Sequence, residues 1–384
     1  MAKRAPAAKK DKTTAAPAAG HMVGVDPHKV SLSAAVVDER GGVLAVEHFK
    51  VSGAGHRAME AWALSFGPVA RWGVEGASGL GRHTATYLVG QGHDVRDCCA
   101  TRTAERARQR RQGKTDALDA QRIARETLAD PEMPVAFKRA PGDAGPDETT
   151  ELLSLWHNAR RSLLKSGQHL LNEAESLLVA LPEAIRADLP STKAVRPRLE
   201  QLARRDRDAA WDAPTTLRIQ LLDDHTAAIA ELDAKEKVVT AKLNALVARA
   251  GSTLEELCGL STRSAAELLV EVGDPRRFTE GGFARFNGTA PLPASSGEGP
   301  GEPVRHRLNR GGNRRVNAVL HRMAVTQRRC DPRAQKLFDD ARRGHTKKEA
   351  MRILKRHLSK VVWKQMMRDV AAAAAAATPL EAAA

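Results

Sequence analysis

Short apolar runs alternate with helical stretches through residues 23–128, and this alternation limits the fold more than any other feature. The first three runs, VGVD, VSLSAAVVD and VLAVEHFKV, are joined by tight turns, so they predict antiparallel neighbouring strands. The helical patterns AMEAWALSF and HTATYLVGQG then alternate with the strand patterns VARWGVEG and DVRDCCA, and a further helix is predicted over residues 103–128. Three antiparallel strands followed by alternating helix and strand are the order of a ribonuclease H-like α/β domain.

The composition changes several times along the chain, and these changes predict the domain boundaries. We predict a basic disordered arm over residues 1–22, the ribonuclease H-like domain over 23–130, and a Pro-, Gly- and Asp-rich linker over 131–150. A helical coiled-coil region over 151–250, a mainly helical C-terminal domain over 251–370, and a frayed alanine-rich tail over 371–384 follow. The predicted fold class is therefore α/β plus α.

Leucines recur at heptad spacing in the helical region. Trp156, Leu163, Leu170 and Leu177 form one row, and Leu222, Ile229 and Leu243 belong to a similar pattern in a second helix. Glu236 interrupts that second row where an apolar residue is expected. An intramolecular antiparallel hairpin and a dimerisation arm both fit this pattern.

The charge balance indicates the kind of partner. Lys and Arg number 61 against 46 Asp and Glu, which gives a net charge of +15 and favours a polyanion over a small metabolite. Aromatic residues make up only 3% of the chain, which argues against a large platform for stacking single-stranded bases.

The cysteines and the apolar runs indicate the compartment. Cys98 and Cys99 are adjacent, whereas Cys258 and Cys330 are far apart, so we expect neither a disulfide framework nor structural zinc, as is typical of a cytoplasmic protein. No uncharged apolar run approaches the length of about 18 residues that a membrane helix needs, and residues 1–22 lack the apolar core of a signal peptide. We therefore expect no association with a membrane.

Four carboxylates are placed where they can meet. Asp26 ends the first predicted strand and Glu75 ends the fourth, and in this topology those two strands are neighbours. Asp116 and Asp119 lie three residues apart, on one face of a helix that begins near Thr115. Crowded carboxylates repel unless a cation lies between them, and oxygen ligands suit Mg²⁺ or Mn²⁺. Such ions serve phosphoryl transfer on nucleic acids. Taken singly, each acid is more typical of a turn or of a helix N-terminus.

A second group of residues follows a Gly-, Pro- and Ser-rich loop. Ser295 and Ser296 lie in PASSGEG, and a series of arginines comes after them. A serine hydroxyl becomes a good nucleophile only when its proton is removed or the developing charge is stabilised, and metal ions and guanidinium groups do both. The predicted nucleic-acid-binding residues are Lys114, Arg305, Arg307, Arg310, Arg314 and Arg315. Alone, a Ser-Ser-Gly loop is more typical of a connector.

These residues together resemble a known family. The motifs VGVDPHK, VEGASGLGRH, KTDALDAQRIA, ELLVEVGDPRRF, GTAPLPASSG and RLNRGGNRRVNAVLHRMA are similar to those of the DEDD transposases of the insertion-sequence 110 family, which are bridge-RNA-guided serine recombinases. The resemblance runs from about residue 23 to residue 368. The sequence departs from the family at CGLST, where a Pro-Gly-Ile-Gly turn is common.

The resemblance implies roles for the candidate residues. Asp26, Glu75, Asp116 and Asp119 would form the acidic tetrad of a RuvC-like domain that binds Mg²⁺ or Mn²⁺, and Ser296 would be the nucleophile of the C-terminal transposase domain, with Ser295 as the neighbouring alternative. It also implies donor and target DNA, a guide RNA, a covalent phosphoserine intermediate, and a dimer or tetramer in which the acids of one protomer complete the serine site of another.

Two other functions fit the residues. A RuvC-like nuclease would use the tetrad to hydrolyse branched DNA with water, and Ser296 would then have no role. A non-enzymatic nucleic-acid-binding protein would need no divalent ion. An actin-like ATPase is disfavoured, because VGVDPHK lacks the Gly-Thr phosphate turn.

Overall fold

The computed structural model of the chain describes residues 20–98, 115–140, 145, 147–205, 211–293, 306–307, 309 and 312–381. The chain divides into two compact units between residues 146 and 147. The first unit is an α/β structure, and the second is almost entirely helical.

A five-stranded mixed sheet forms the centre of the first unit. Its strands are β1 (His21–Pro27), β2 (Ser31–Val37), β3 (Val43–Lys50), β4 (Val69–Glu75) and β5 (Val95–Cys98). Their order is β3-β2-β1-β4-β5. Strands β1, β2 and β3 pair in antiparallel fashion, whereas β1 with β4 and β4 with β5 are parallel. The predicted strand order is confirmed, and it agrees with a ribonuclease H-like domain.

Helices cover both faces of this sheet. They are α1 (Gly53–Leu64), α2 (Arg82–Gly90) and α3 (Asp116–Ala129). Val23 and Val25 of β1 pack in one core with residues of α1 and α2, whereas Met22 packs with Ala124 of α3. Because side chains alternate along a strand, Gly24 and Asp26 lie on the same face as Met22, beneath α3. The predicted helix over 103–128 begins at Asp116 in the described part of the chain.

The segment interpreted as a linker belongs in part to the core of the first unit. Met133 and Phe137 are buried, and a short 3₁₀ turn spans Ala136–Lys138. The backbone nitrogen of Asp97 donates to the carbonyl of Pro134 at 2.8 Å, so this segment runs beside β5. The prediction of a free linker from residue 131 onward was therefore wrong here, because the apolar side chains outweigh the Pro-rich composition.

Two long antiparallel helices begin the second unit. They are α4 (Glu148–Val179) and α7 (Ala213–Arg249), and the short helices α5 (Glu183–Arg186) and α6 (Val195–Ala203) lie between them in the sequence. Ion pairs match the start of α4 with the end of α7: Arg249 lies 3.4 Å from Glu148, and Arg160 lies 2.6 Å from Glu236. The arrangement is the intramolecular hairpin.

The contact face of α4 differs from the predicted row. Leu153, Gly167 and Ala174 are buried, whereas Leu163, Leu170 and Leu177 are half-buried. The half-buried leucines pack against the apolar cores on either side of these positions. Glu236 interrupts the apolar row of α7 because it accepts hydrogen bonds from Arg160, at 2.6 Å, and from Thr240, at 2.9 Å.

A helical bundle forms the rest of the second unit. Its helices are α8 (Thr262–Val272), α9 (Glu280–Phe286), α10 (Arg314–Cys330), α11 (Pro332–Arg342) and α12 (Lys347–Glu381), and a two-stranded hairpin pairs β6 (Leu292–Pro293) with β7 (His306–Arg307). The core contains Leu268, Phe283 and Met323, all fully buried. The tail predicted to fray from residue 371 is helical as far as Glu381, because alanine has the highest helix propensity.

Two cysteines of this bundle are close neighbours. The Sγ atoms of Cys258 and Cys330 lie 3.0 Å apart, and both residues are exposed. Both thiols are free, in agreement with the expectation of no disulfide framework, but their proximity was not predicted, because the end of α10 and the loop before α8 meet only in the fold.

None of the helices in the described ranges combines the length and the apolar composition that crossing a bilayer requires.

Candidate functional site

The carboxyl ends of β1 and β4 lie side by side. Val25 is paired with Val74 in parallel register, and Asp26 and Glu75 follow them directly. Asp26 is 8% exposed, and Glu75 is half-buried. The predicted neighbourhood of the two strand ends is therefore present.

Helix α3 carries the other two carboxylates to this edge. Thr115 is its N-cap, with a hydroxyl that accepts from the backbone nitrogen of Leu118 at 3.3 Å, as predicted. Asp116 and Asp119 both lie in the first turn. Acidic side chains at that position are also stabilised by the positive end of the helix dipole.

Two glycines allow α3 to lie directly on the strands. A Cβ at Gly24 of β1 would overlap the backbone nitrogen of Ala124 and the carbonyl oxygen of Ala120. A Cβ at Gly73 of β4 would overlap the hydroxyl of Thr127. These glycines therefore set how closely the first turn of α3 approaches Asp26.

Three side chains converge at this edge. Nε2 of His28 lies 3.5 Å from Oδ2 of Asp26 and 3.3 Å from Oδ1 of Asp116. One ligand atom from each of the three residues lies within 4.8 Å of the others. Nε2 of His28 is buried, and no atom in the described ranges forms a hydrogen bond with it. Two carboxylates and an imidazole nitrogen form a donor set that fits a divalent cation.

The other two predicted acids lie outside this group of three. Asp119 accepts from Nη1 of Arg122 at 2.6 Å, and both side chains are largely buried. Glu75 lies at the neighbouring strand end but is not among the three residues whose ligand atoms meet. The structure thus brings together two of the four predicted acids, with His28 as a third member.

His28 was missed by the sequence reasoning. Its signal is its position two residues after Asp26, in the turn that leads to β2, where its backbone nitrogen donates to the carbonyl of Ser31 at 2.9 Å. This turn directs the chain back over the strand end. A histidine beside a strand-end aspartate is the pattern that could have indicated it.

The two short strands that flank the serine loop in the sequence pair with each other. In the β6 and β7 hairpin, Leu292 is paired with Arg307 and Pro293 with His306. Ser295 and Ser296 follow β6, and they lie outside the described residues, as do Lys114, Arg305 and Arg310. The hairpin brings the segment before the serines next to the segment that carries the arginines.

Buried amides hold the base of this loop. Nδ2 of Asn287 donates to Oγ of Ser359 at 2.7 Å, and both residues are fully buried. Nδ2 of Asn317, on α10, donates to the carbonyl of Asn287 at 2.7 Å, and Nζ of Lys355 donates to Oδ1 of Asn317. Burial, followed by the charge of Arg352, lowers the pKa of Lys355.

The two arginines that begin α10 differ in their surroundings. Arg314 is exposed, whereas the Arg315 guanidinium donates to the buried carboxylate of Glu271. Nδ2 of Asn313 donates to the same carboxylate at 2.8 Å. Asn313 also caps α10, since its Oδ1 accepts from the backbone nitrogens of Arg315 and Val316. Arg315 therefore neutralises a buried acid.

Each of the two units contains a region that matches a known family of transposases. Residues 23–181 match the DEDD transposase model of IS110 elements, and residues 251–339 match the model of the transposase IS116/IS110/IS902 family. No curated protein is detectably similar to the chain in sequence. The first match contains the carboxylate edge of the sheet, and the second contains the serine loop. The chain therefore belongs to the IS110 family of transposases, which are enzymes that act on DNA.

Proposed function

We propose that this transposase joins DNA strands by phosphoryl transfer, with Ser296 as the nucleophile and the acids Asp26, Glu75, Asp116 and Asp119 as the acidic set around a divalent cation. The observation that carries the proposal is the convergence of Asp26 and Asp116 on His28 at the sheet edge, within 4.8 Å. The three potential ligands come from the end of β1, the turn after it and the first turn of α3.

The donor set is suited to a divalent cation of the Mg²⁺ or Mn²⁺ type. Asp26, Asp116 and His28 would bind it, and Glu75 is placed to contribute from β4. When bound, such an ion supplies positive charge to a phosphoryl group and lowers the pKa of an attacking hydroxyl.

The protein's own residues hold this site in place. Asp26 is fixed by its buried strand, and Asp116 by the capped start of α3. Asp119 binds Arg122, which keeps the first turn of α3 ordered and leaves Asp119 as a supporting carboxylate. These contacts place the ligands before any cation arrives, which lowers the cost of binding.

The serine step conserves the energy of the DNA backbone. The Ser296 hydroxyl loses its proton, its oxygen forms a bond to phosphorus, and a bond from that phosphorus to a deoxyribose oxygen breaks. The released deoxyribose oxygen takes up a proton. Attack by a hydroxyl of a second strand then reverses the exchange, so strands are joined without an external energy source.

The protein's partners follow from the same proposal. The net charge of +15 suits donor and target DNA and a guide RNA. The acidic set lies in the first unit and the serine loop in the second. We propose that two or four copies assemble so that the acids of one copy serve the serine of another.

A strand-transfer assay tests the proposal. Asp26→Asn and Asp116→Asn should each abolish transfer in Mg²⁺ while leaving the fold intact, since each removes one ligand charge from an edge of the sheet. Glu39→Gln, an exposed acid in the same unit, is the matched control and should keep full activity. Wild-type activity in both aspartate variants would contradict the metal site. Transfer restored by mixing Asp116→Asn with Ser296→Ala would support the shared active site.

Two other outcomes would favour other functions. Metal-dependent cleavage of branched DNA without any joining would favour the nuclease. Binding of nucleic acid without cleavage in any divalent ion would favour the non-enzymatic protein.

A further inference from the structure

Four of the nine residues that line a cavity in the second unit are arginines. The cavity has a volume of about 380 Å³, and helices α4, α8 and α10 surround it. Its charged lining consists of Arg160, Arg161, Arg263, Arg322 and Glu267. We call it the arginine pocket. The lining thus contains four guanidinium groups and one carboxylate, that of Glu267, and the cavity is strongly positive.

Two of the four arginines are already neutralised. Nε of Arg160 donates to Glu236 at 2.6 Å, and Nη2 of Arg322 donates to Glu267 at 2.8 Å. These pairs account for the carboxylates at the pocket. They also hold the side chains of the two arginines in fixed positions.

The other two arginines have no such partner. Within the described ranges, neither Arg161 nor Arg263 forms an ion pair. Burial raises the pKa of Glu236, but hydrogen bonds from Thr240 and Arg160 outweigh it and lower the pKa. The charge of Arg263 adds a smaller lowering effect, so Arg263 lies near this carboxyl. Positive charge therefore remains uncompensated in the cavity.

The start of α8 adds donors to the same cavity. Ser261 is the N-cap of this eleven-residue helix, and Ser261, Arg263 and Ser264 line the pocket. The first turn of a helix presents backbone N–H groups and the positive end of the helix dipole. Such a terminus stabilises an anion, and here it coincides with the two unpaired arginines.

A largely buried histidine also lines the pocket. His157 is only 8% exposed. Burial lowers its pKa, so the neutral ring can offer one donor and one acceptor to a ligand in the pocket.

We propose that the arginine pocket holds a backbone phosphate of the nucleic acid on which the transposase acts. Guanidinium groups bind phosphate oxygens through paired N–H donors, and a helix N-terminus binds the same oxygens. The proposal rests on the proposed function, because it assumes a nucleic-acid partner. It adds a contact lined by α4, α8 and α10 that does not include Arg314 or Arg315.

Salt-dependent binding tests the proposal with two probes, a labelled DNA duplex and a labelled RNA hairpin. Arg161→Gln combined with Arg263→Gln removes the unpaired charge. We expect binding about tenfold weaker at 0.15 M salt and a plot of log affinity against log salt that is shallower by about 1, as for one lost phosphate contact. Arg161→Lys combined with Arg263→Lys should keep the slope and lose part of the affinity, because lysine lacks the paired donors.

The matched control is Arg204→Gln combined with Lys336→Gln. Both residues are exposed, neither lines the pocket, and the loss of charge is the same. A change confined to the DNA probe assigns the phosphate to DNA, a change confined to RNA assigns it to RNA, and a change in both indicates a site that accepts either. A pocket variant that keeps the wild-type slope, or that matches the control, would overturn the proposal while leaving the proposed function standing. An unmodified protein that binds neither probe would contradict the proposed function itself.

Discussion

Nε2 of His28 lies 3.3 Å from Oδ1 of Asp116, although strands β2 to β5 lie between the two residues in the sequence. The turn after β1 provides the histidine, and the first turn of α3 provides the aspartate. Because the imidazole also lies 3.5 Å from Asp26, the site contains a nitrogen donor beside two carboxylates. That donor affects which cations the site prefers.

His28→Ala should weaken Mn²⁺ binding about tenfold and Mg²⁺ binding much less. Mg²⁺ prefers oxygen ligands and retains its waters, whereas Mn²⁺ accepts an imidazole more readily. Titration calorimetry with each ion measures both affinities, and the electron paramagnetic resonance signal of Mn²⁺ checks the bound fraction. His83→Ala, an exposed histidine of α2, should change neither affinity. Unchanged Mn²⁺ affinity in His28→Ala would exclude the imidazole as a ligand.

Gly24→Ala should destabilise the first unit by about 3 kcal/mol, because the new methyl group overlaps the backbone of α3 at Ala120 and Ala124. Displacing α3 also moves Asp116, so metal affinity should fall with stability. Chemical denaturation measures the free energy of unfolding. Gly90→Ala, at the end of α2, where an added Cβ meets nothing within 4 Å, should be neutral or stabilising by up to about 1 kcal/mol. Equal effects of the two substitutions would contradict the close approach of α3.

The strand order and the strand-end acids were predictable because they depend on local signals. Tight turns require antiparallel neighbours, and the carboxyl ends of parallel strands meet at one edge, so Asp26 and Glu75 could be placed before the structure was known. The separation of Asp119 from the central group was not predictable. It depends on Arg122, a competing partner one turn along the same helix.

Contacts between distant elements account for the predictions that were wrong. Composition indicates a linker at 131–150, but Met133 and Phe137 find apolar surface on the first unit. Heptad spacing locates α4, but its most buried positions include Gly167, Ala174 and Leu178, whereas the predicted leucine row is half-buried beside them. Nothing in the sequence around Cys258 indicates that Cys330 lies beside it.

Glu236→Gln should destabilise the second unit by about 1–3 kcal/mol, because it removes a largely buried charge that accepts hydrogen bonds from Arg160 and Thr240. Burial raises the pKa of Glu236, but hydrogen bonds from Thr240 and Arg160 outweigh it and leave the pKa below its usual value of 4.5. A carboxyl whose pKa is lower in the folded state stabilises the fold at pH values above its unfolded-state pKa. This contribution disappears as the pH falls through the folded-state pKa.

The difference in unfolding free energy between the wild type and Glu236→Gln should therefore be largest above about pH 4.5 and vanish in more acidic solution. Denaturation at a series of pH values measures it. Glu175→Gln, an exposed acid of α4 with no ion pair among the described residues, is the matched control. If the difference in unfolding free energy grew as the pH fell, the ion pair between Glu236 and Arg160 could not be its cause.

Oxidised glutathione should link Cys258 to Cys330 within one chain. Their sulfurs lie 3.0 Å apart, so one thiolate attacks glutathione disulfide and the second displaces the attached glutathione, which forms the bond and releases two reduced glutathiones. The contact with Cys330 raises the pKa of Cys258, so linking should be faster in alkaline solution. Peptide mapping should find the linked pair and Cys98 still free, since Cys98 is buried. Stable glutathione adducts on both cysteines would show that the sulfurs do not meet.

The most direct measurement of the central claim is the covalent link between protein and DNA. Labelled DNA is incubated with the protein in Mg²⁺, the mixture is denatured, and protein-linked DNA is isolated and mapped by peptide sequencing. We predict an adduct on Ser296 that persists in Ser295→Ala and disappears in Ser296→Ala and in Asp116→Asn. Cleaved DNA with no adduct in the unmodified protein, or an adduct that persists in Ser296→Ala, would contradict the account.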